Sequence, residues 1–472
     1  MTDNYDLIVV GGGSAGLTAA GIATQLGVRV ALIEKDRLGG DCTWTGCVPS
    51  KALLKAARVA HDMRNARRYG LAPADPRVDL AAIMARIRDT VGQIYADESP
   101  DALRARGIDV LLGPARFRDP HTLAVGQETL TARKILIATG ARPLVPPING
   151  LDDVGYLSSD NLWDLEALPE HLLIVGAGPM GCEMAQAFRR LGARVTLLAA
   201  GDRLLPRDDP AASLALAEVF TAEGIDLIYN ARAELAWHDE AGRIRLGAGG
   251  NGLVGDTLLL AAGRRPNVDG LGLARAGVAY SPAGIQVDDT LRTSQGHIYA
   301  AGDCTGGPQF THYAAWQAGL AARNALLPGA SAAVAEAVPW ATFTDPEVAR
   351  AGLSEARARQ QFGDDVTTTQ WPMDRVDRAR TEGNTAGFIK LVHRQNGRLL
   401  GATIVAARAG EMIHEWIVAL QHGLSVDHLS AALHVYPTYA VANMEAALSV
   451  RLERLLSGLS GRALRTLARM GR

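Results

Sequence analysis

Two stretches of this chain share one grammar: an apolar strand, a Gly-x-Gly-x-x-Gly turn and a helix. The first runs from Tyr5-Asp6-Leu7-Ile8-Val9-Val10 into Gly11-Gly12-Gly13-Ser14-Ala15-Gly16, the second from Leu172-Leu173-Ile174-Val175 into Gly176-Ala177-Gly178-Pro179-Met180-Gly181. Gly11 and Gly176 permit the tight turn. Gly13 and Gly178 let backbone amides approach a pyrophosphate at the helix N-terminus, and Gly16 and Gly181 let the helix pack closely on the strand. Such units build doubly wound parallel sheets, so the chain is read as α/β with two Rossmann-like domains and two bound dinucleotides.

The copies differ at the end of their second strands. Arg29-Val30-Ala31-Leu32-Ile33-Glu34 ends in a carboxylate about 20 residues past the turn, where a ribose hydroxyl finds its acceptor. Arg194-Val195-Thr196-Leu197-Leu198 is followed instead by Ala199-Ala200-Gly201-Asp202-Arg203, with Arg207 close behind. Without the acid there is no repulsion against a 2′-phosphate, and Arg203 and Arg207 stand near enough to meet one. NADPH is expected over NADH, with Asp202 as an alternative ribose acceptor.

Just after the first unit, Gly39-Gly40-Asp41-Cys42-Thr43-Trp44-Thr45-Gly46-Cys47-Val48-Pro49-Ser50-Lys51 holds two of the four cysteines. A close pair in a chain with no export signal points to catalysis or metal binding rather than a structural disulfide. Gly46 allows the four intervening residues to close a small ring. Cys47 opens an expected helix, whose N-terminal dipole, together with nearby Lys51, favours a thiolate; Pro49 suits the first helical turn. Cys182 and Cys304 lie inside nucleotide-binding motifs and read as packing residues. With no second cysteine pair, and with His414, His422, His428 and His434 at no metal-binding spacing, no resident metal is expected.

To these features the chain adds Ala138-Thr139-Gly140-Ala141-Arg142-Pro143, Ala262-Gly263-Arg264-Arg265-Pro266-Asn267, Ala300-Ala301-Gly302-Asp303 and Phe343-Thr344-Asp345-Pro346-Glu347-Val348-Ala349-Arg350-Ala351-Gly352-Leu353. In this order they resemble the pyridine nucleotide-disulfide oxidoreductases, the flavoenzyme family of dihydrolipoamide dehydrogenase, glutathione reductase and mercuric reductase, from about Tyr5 to Ala447. The resemblance implies an FAD domain in two halves, 1–150 and 271–335, around an NAD(P) domain at 151–270. An α+β dimerisation domain at 336–450 and a basic tail at 451–472 follow, and the enzyme is a homodimer. It further implies that nicotinamide reduces flavin and that flavin opens a Cys42–Cys47 disulfide, Cys47 lying against the flavin and Cys42 acting as exchange thiol. Lys51 and Glu183 correspond to an ion pair beside the flavin, and Asp303 to the aspartate on its ribityl chain. Gly140 and Gly263 lie in cofactor-binding turns.

One departure bears on substrate. Lipoamide- and glutathione-type members carry His-x-His-Pro-Thr followed by a glutamate, whereas this chain reads His434-Val435-Tyr436-Pro437-Thr438-Tyr439-Ala440-Val441. Tyr436 replaces the acid-base histidine and Val441 the orienting glutamate. A phenol near ~10 does not cycle protons at neutral pH as an imidazole near ~6.5 does. His434 is a possible substitute on the same face. The departure argues against lipoamide or glutathione and favours a metal ion, quinone or similar electrophile. Mercuric reductases also lack this histidine, although their C-terminal cysteine pair has no counterpart here. The alternatives are a dihydrolipoamide dehydrogenase-like enzyme and a redox-sensing or membrane-recruited flavoprotein with little turnover.

A length of 472 residues with 48% hydrophobic content fits about three domains. The formal charge of −2 argues against nucleic acid. No run of 18 apolar residues offers a membrane span, and Met1-Thr2-Asp3-Asn4 leads straight into the first strand, so a cytoplasmic protein is expected. The tail from Arg451 to Arg472 has six arginines and one acid. Leu452, Leu455, Leu456 and Leu459 fall at helical spacing, suited to an anionic membrane surface, a partner or the chain's own dimer, while Gly458 and Gly461 weaken the helix.

Overall fold

The computed structural model describes residues 5–332 and 338–470. The expected division at 335/336, the expectation drawn from Met1–Asn4 and the last two tail residues lie outside that range.

Tyr5–Val10 is apolar through its second half, as a strand covered on both faces must be, and sits inside a parallel sheet. The order across that sheet is Ile108–Leu112, Val30–Glu34, Tyr5–Val10, the second half of Glu128–Ile137, and Ile298–Ala300. The first half of Glu128–Ile137 turns outward into an antiparallel meander with Thr122–Val125 and Ala115–Asp119. Ile298–Ala300 therefore returns to the first sheet after everything between has been built elsewhere.

That intervening body has its own parallel sheet, ordered Asp226–Ile228, Arg194–Leu198, His171–Val175, Thr257–Leu260, and an antiparallel trio Ala233–His238, Ile244–Ala248, Asn251–Gly255. Both glycine turns obey one geometry. Gly11 and Gly176 have φ of 111° and 115°, and a Cβ on either would overlap the carbonyl oxygen of a neighbouring strand's end, Ala138 or Ala261. A Cβ on Gly16 or Gly181 would overlap the carbonyl of Gly11 or Gly176.

The C-terminal body is a five-stranded antiparallel sheet, Trp340–Thr342, Glu347–Gly352, Leu399–Ala406, Phe388–Arg394, Val366–Pro372. Every residue of Leu399–Ala406 is buried. Helices Ala409–Gln421 and Val441–Leu456 join through Trp416 Nε1, which donates to Asn443 Oδ1 at 2.7 Å with both side chains fully buried. Helix Val441–Leu456 runs across the expected 450/451 division. The tail then forms a second helix, Gly458–Met470, despite its glycines. Gly461 lies in its first turn, where a Cβ would overlap the Leu456 carbonyl, so the glycine closes the bend between helices instead of weakening a helix centre.

Two packing events set up the site. Helix Ser14–Gln25 buries Ala15, Ala19, Ala20 and Ala23 against helix Thr311–Leu326, which presents Ala314, Ala318, Ala321 and Ala322. Small residues on both sides bring Thr311, the first residue of its helix, to the cysteine turn. Helix Cys47–Arg64 packs on Pro179–Leu191, joining the cysteines to the second glycine turn.

Candidate active site

Gly39 and Gly40, at φ 96° and 60°, swing the chain into the short helix Gly40–Trp44 that carries Cys42. A Cβ on Gly40 would come within 2.7 Å of the Gly13 Cα, so the cysteine turn rests backbone to backbone on the first glycine turn. Side chains pin the rest of the loop. Trp44 Nε1 donates to Leu38 O (2.7 Å), Thr43 Oγ1 to Glu98 Oε2 (2.9 Å) and Trp163 Nε1 to Thr45 O (3.0 Å). Gly46 then permits the helix that Cys47 opens.

Cys42 and Cys47 are free thiols whose proton equilibria are linked. Cys47 is lowered to about 6, chiefly by the hydrogen bond from Cys42 and further by the Thr311 hydroxyl (Sγ to Oγ1 3.5 Å) and the charge of Lys51, against the cost of burial. Cys42 moves far upward because it holds the shared proton and is partly desolvated. The pair divides its labour: Cys47 is the thiolate and Cys42 the thiol.

Lys51, one helical turn past Cys47, donates to Glu183 Oε2 at 2.9 Å and Oε1 at 3.1 Å. Glu183 is buried, its Oε1 also accepts the Phe343 N–H at 2.9 Å, and Lys51 Nζ lies 4.5 Å from the centre of the Phe343 ring. The Phe343 segment is itself held by Pro179–Leu191. Gln186 Oε1 accepts from Asp345 N, Gln186 Nε2 donates to Asp345 O, and Arg190 pairs with Asp345 and Glu223.

The two turn motifs zip together. Ala141–Pro143 and Arg264–Pro266 form an antiparallel ribbon after Gly140 (φ 67°) and Gly263 (φ 125°), locked by Thr139–Asn267 hydrogen bonds of 2.8 and 2.9 Å. The ribbon aims Arg264 at Asp41, beside Cys42, and at Asp303 Oδ2, 3.7 Å away. Burial pushes the Asp303 carboxyl up to about 6, against the pull of Arg264. Thr311, Arg264 and Gln186 are site components that sequence reading gave no role, since each meets its partner across more than 100 residues.

The residues fit two dinucleotides. Asp79, Ser99, Asp209 and Ser354 cap their helices with side-chain oxygens, but Ser14–Gln25 and Pro179–Leu191 have no side-chain cap and no acid in the first turn. Their N–H groups are left to an external anion, as a pyrophosphate requires. Glu34 ends its strand buried, with Oε2 accepting from Gly12 N at 2.6 Å, at the rim of the first turn. In the second unit the strand ends at Leu198 without an acid. Arg203 is tethered by Pro206 O (3.2 Å) and Asp202 (3.7 Å), and Arg207 is exposed.

Among the described residues Tyr436 makes no hydrogen bond to either thiol. It is 67% exposed and its hydroxyl donates to Asp377 Oδ2 at 2.8 Å, which holds the phenol above its usual pKa. His434 Nε2 meets Glu415 Oε1 at 2.8 Å. Cys182 and Cys304 are fully buried and their thiols face backbone carbonyls. Among the described residues no cluster of three or more His, Cys, Asp or Glu forms a metal cage.

Residues 5–318 match the pyridine nucleotide-disulphide oxidoreductase family and residues 338–447 its dimerisation domain, and the chain belongs to this family of flavin-dependent, nicotinamide-using enzymes. It is similar to mercuric reductase of Bacillus cereus, 37% identical over 442 residues, covering 93% of this chain and 70% of the relative. It is also similar to dihydrolipoyl dehydrogenase of Thermus scotoductus, 35% identical, covering 94% and 96%. Among solved structures, a Cu(II) complex of the HOCl-induced flavoprotein disulfide reductase RclA from Escherichia coli superposes with TM-score 0.86 at 30% identity, covering 95% of this chain and all of that one. The dimerisation-domain match supports a homodimer.

Proposed function

We propose that this enzyme uses NADPH to reduce a thiophilic metal ion, or a comparable electrophile such as a quinone, through its Cys42–Cys47 pair. The observation that carries the reading is the contrast between Cys47 and Tyr436. Cys47 is lowered toward the thiolate, while the residue at the sequence position of the acid-base histidine is a phenol, hydrogen-bonded to Asp377 and protonated at neutral pH. A disulfide substrate needs a proton for each departing thiolate. A metal ion needs soft sulfur ligands and electrons. The similarity to mercuric reductases and to a flavoprotein with a solved Cu(II) complex runs the same way.

Bound FAD supplies two-electron exchange between nicotinamide and the sulfur pair. The uncapped turns at Gly13 and Gly178 would hold the two pyrophosphates, Glu34 would take a ribose of the first cofactor, and Asp303 would take the ribityl chain. Reduction of the Cys42–Cys47 disulfide takes up two electrons and one proton. Cys47 keeps the negative charge beside Lys51, and Cys42 keeps the proton until an acceptor engages its sulfur. Arg203 and Arg207 would meet the 2′-phosphate of NADPH. With NADPH as reductant, the enzyme works in the cytoplasm.

The test compares NADPH consumption with mercuric ion, cupric ion, a quinone, lipoamide and oxidised glutathione. Metal- or quinone-dependent turnover that disappears in Cys42→Ser, while flavin reduction persists, is the expected result. Lipoamide turnover at an ordinary enzymatic rate would overturn the reading in favour of a dihydrolipoamide dehydrogenase-like enzyme.

A further inference from the structure

The dimerisation-domain match ends at residue 447, but the chain continues into a helix with no place in the chemistry above. Helix Val441–Leu456 stops at Ser457, whose backbone is extended (ψ 156°), and Gly458–Met470 follows. From Arg462 to Met470 every residue is exposed. Arg462, Arg465 and Arg469, at i, i+3 and i+7, share one face of this helix. Ala463, Leu467 and Met470 lie on the opposite face, with Leu464 at its edge. Leu464, Leu467 and Met470 are 44%, 64% and 76% exposed. A 13-residue helix without a core to rest on is marginal in water, so this apolar stripe calls for a cover.

Charge identifies the cover. Residues 451–472 carry a net +5, so in a chain of net charge −2 the remainder carries −7. Despite that excess of acid, among the described residues none of Arg462, Arg465 and Arg469 forms an ion pair with the body. A second copy of the same helix, meeting it through Leu467 and Met470, would cover the stripe yet leave the arginines of both helices without a counter-charge. We propose that Gly458–Met470 is a peripheral anchor that lies on an anionic phospholipid surface, its Leu467–Met470 stripe entering the headgroup boundary and its arginines meeting lipid phosphates. A homodimer presents two such helices, and joint engagement strengthens an attachment that is weak singly.

The test is flotation of the FAD-loaded full-length dimer with phosphatidylcholine–phosphatidylglycerol vesicles and with phosphatidylcholine alone. Full-length protein floats only with the anionic vesicles and is released by high salt. The triple variant Arg462→Gln, Arg465→Gln, Arg469→Gln partitions roughly a hundredfold less, at about fivefold per arginine. Leu467→Glu also weakens binding, and a chain ending at Ser457 does not bind. All three variants keep flavin absorbance, dimer mass and NADPH oxidation. Equal flotation of full-length and truncated protein would overturn the proposal. So would binding indifferent to lipid charge, or a tail-dependent change in oligomer mass in place of vesicle binding.

Discussion

Lys51 Nζ sits between both carboxylate oxygens of Glu183, at 2.9 and 3.1 Å, tying the helix that Cys47 opens to the helix that Gly178 caps. The two charges act on Cys47 in opposite senses, Lys51 lowering its pKa and Glu183 raising it. Lys51→Met therefore shifts Cys47 upward, Glu183→Gln shifts it downward, and the double variant lies between them. Both shifts are smaller than the one caused by removing Cys42, the largest contributor. The pH dependence of iodoacetamide alkylation of the reduced enzyme measures all three; a downward shift in Lys51→Met would contradict the assignment.

The same assay on the unmodified dithiol enzyme gives a rate that rises through pH about 6, well below the ~8.5 of an ordinary thiol. Cys42→Ala moves that midpoint upward the most and Thr311→Val moves it less, following the order of their contributions. Since the folded pKa of Cys47 is depressed, its contribution to stability is complete above the unfolded value and lost as pH falls through about 6. Urea midpoints of reduced enzyme, compared with Cys47→Ala, should thus diverge as pH is raised through that window.

Arg190 is 7% exposed and bound to Glu223 at 2.6 Å and Asp345 at 2.9 Å. Arg190→Leu leaves two carboxylates facing each other and costs about 3–5 kcal/mol. Thermal unfolding reads this loss. Because Asp345 anchors the segment that reaches Glu183 through Phe343 N, the variant also loosens the Lys51 pair, which shows as a displaced Cys47 midpoint.

The proposed preference for NADPH assigns coenzyme choice to Arg203 and Arg207, beyond a strand end that lacks an acid. Arg203→Ala with Arg207→Ala lowers kcat/KM for NADPH roughly tenfold or more, the worth of one lost charge-assisted hydrogen bond, and leaves NADH nearly unchanged. Ala199→Glu adds repulsion at the strand end and favours NADH further. Steady-state rates with both coenzymes decide; an unchanged NADPH-to-NADH ratio in the double variant would remove the arginines from the site.

The glycine turns, the cysteine loop and the helix that Cys47 opens were all legible because each is a local pattern whose spacing carries its geometry. The pairing of Lys51 with Glu183 was reachable only through family resemblance, their meeting spanning 132 residues. Arg264 was readable as part of a motif but not as the group between Asp41 and Asp303, because that placement depends on a ribbon assembled from two distant turns. Thr311 gave no signal: its position beside Cys47 comes from alanine faces on Ser14–Gln25 and Thr311–Leu326, and alanine spacing does not name its partner. The tail was legible as an arginine-and-leucine pattern, but the expected stripe of Leu452, Leu455, Leu456 and Leu459 is split at Ser457 between two helices, and the part played by Gly461 needed that bend to be seen.

The mirrored overlaps at Gly11 and Gly176, and at Gly16 and Gly181, have a further consequence for the chain's history. Side chains elsewhere in the two nucleotide-binding bodies are free to diverge toward different coenzymes, as Glu34 and Ala199 have done. These four positions are closed to any residue bearing a β-carbon, so both halves stay hinged on identical pivots however far their surroundings drift.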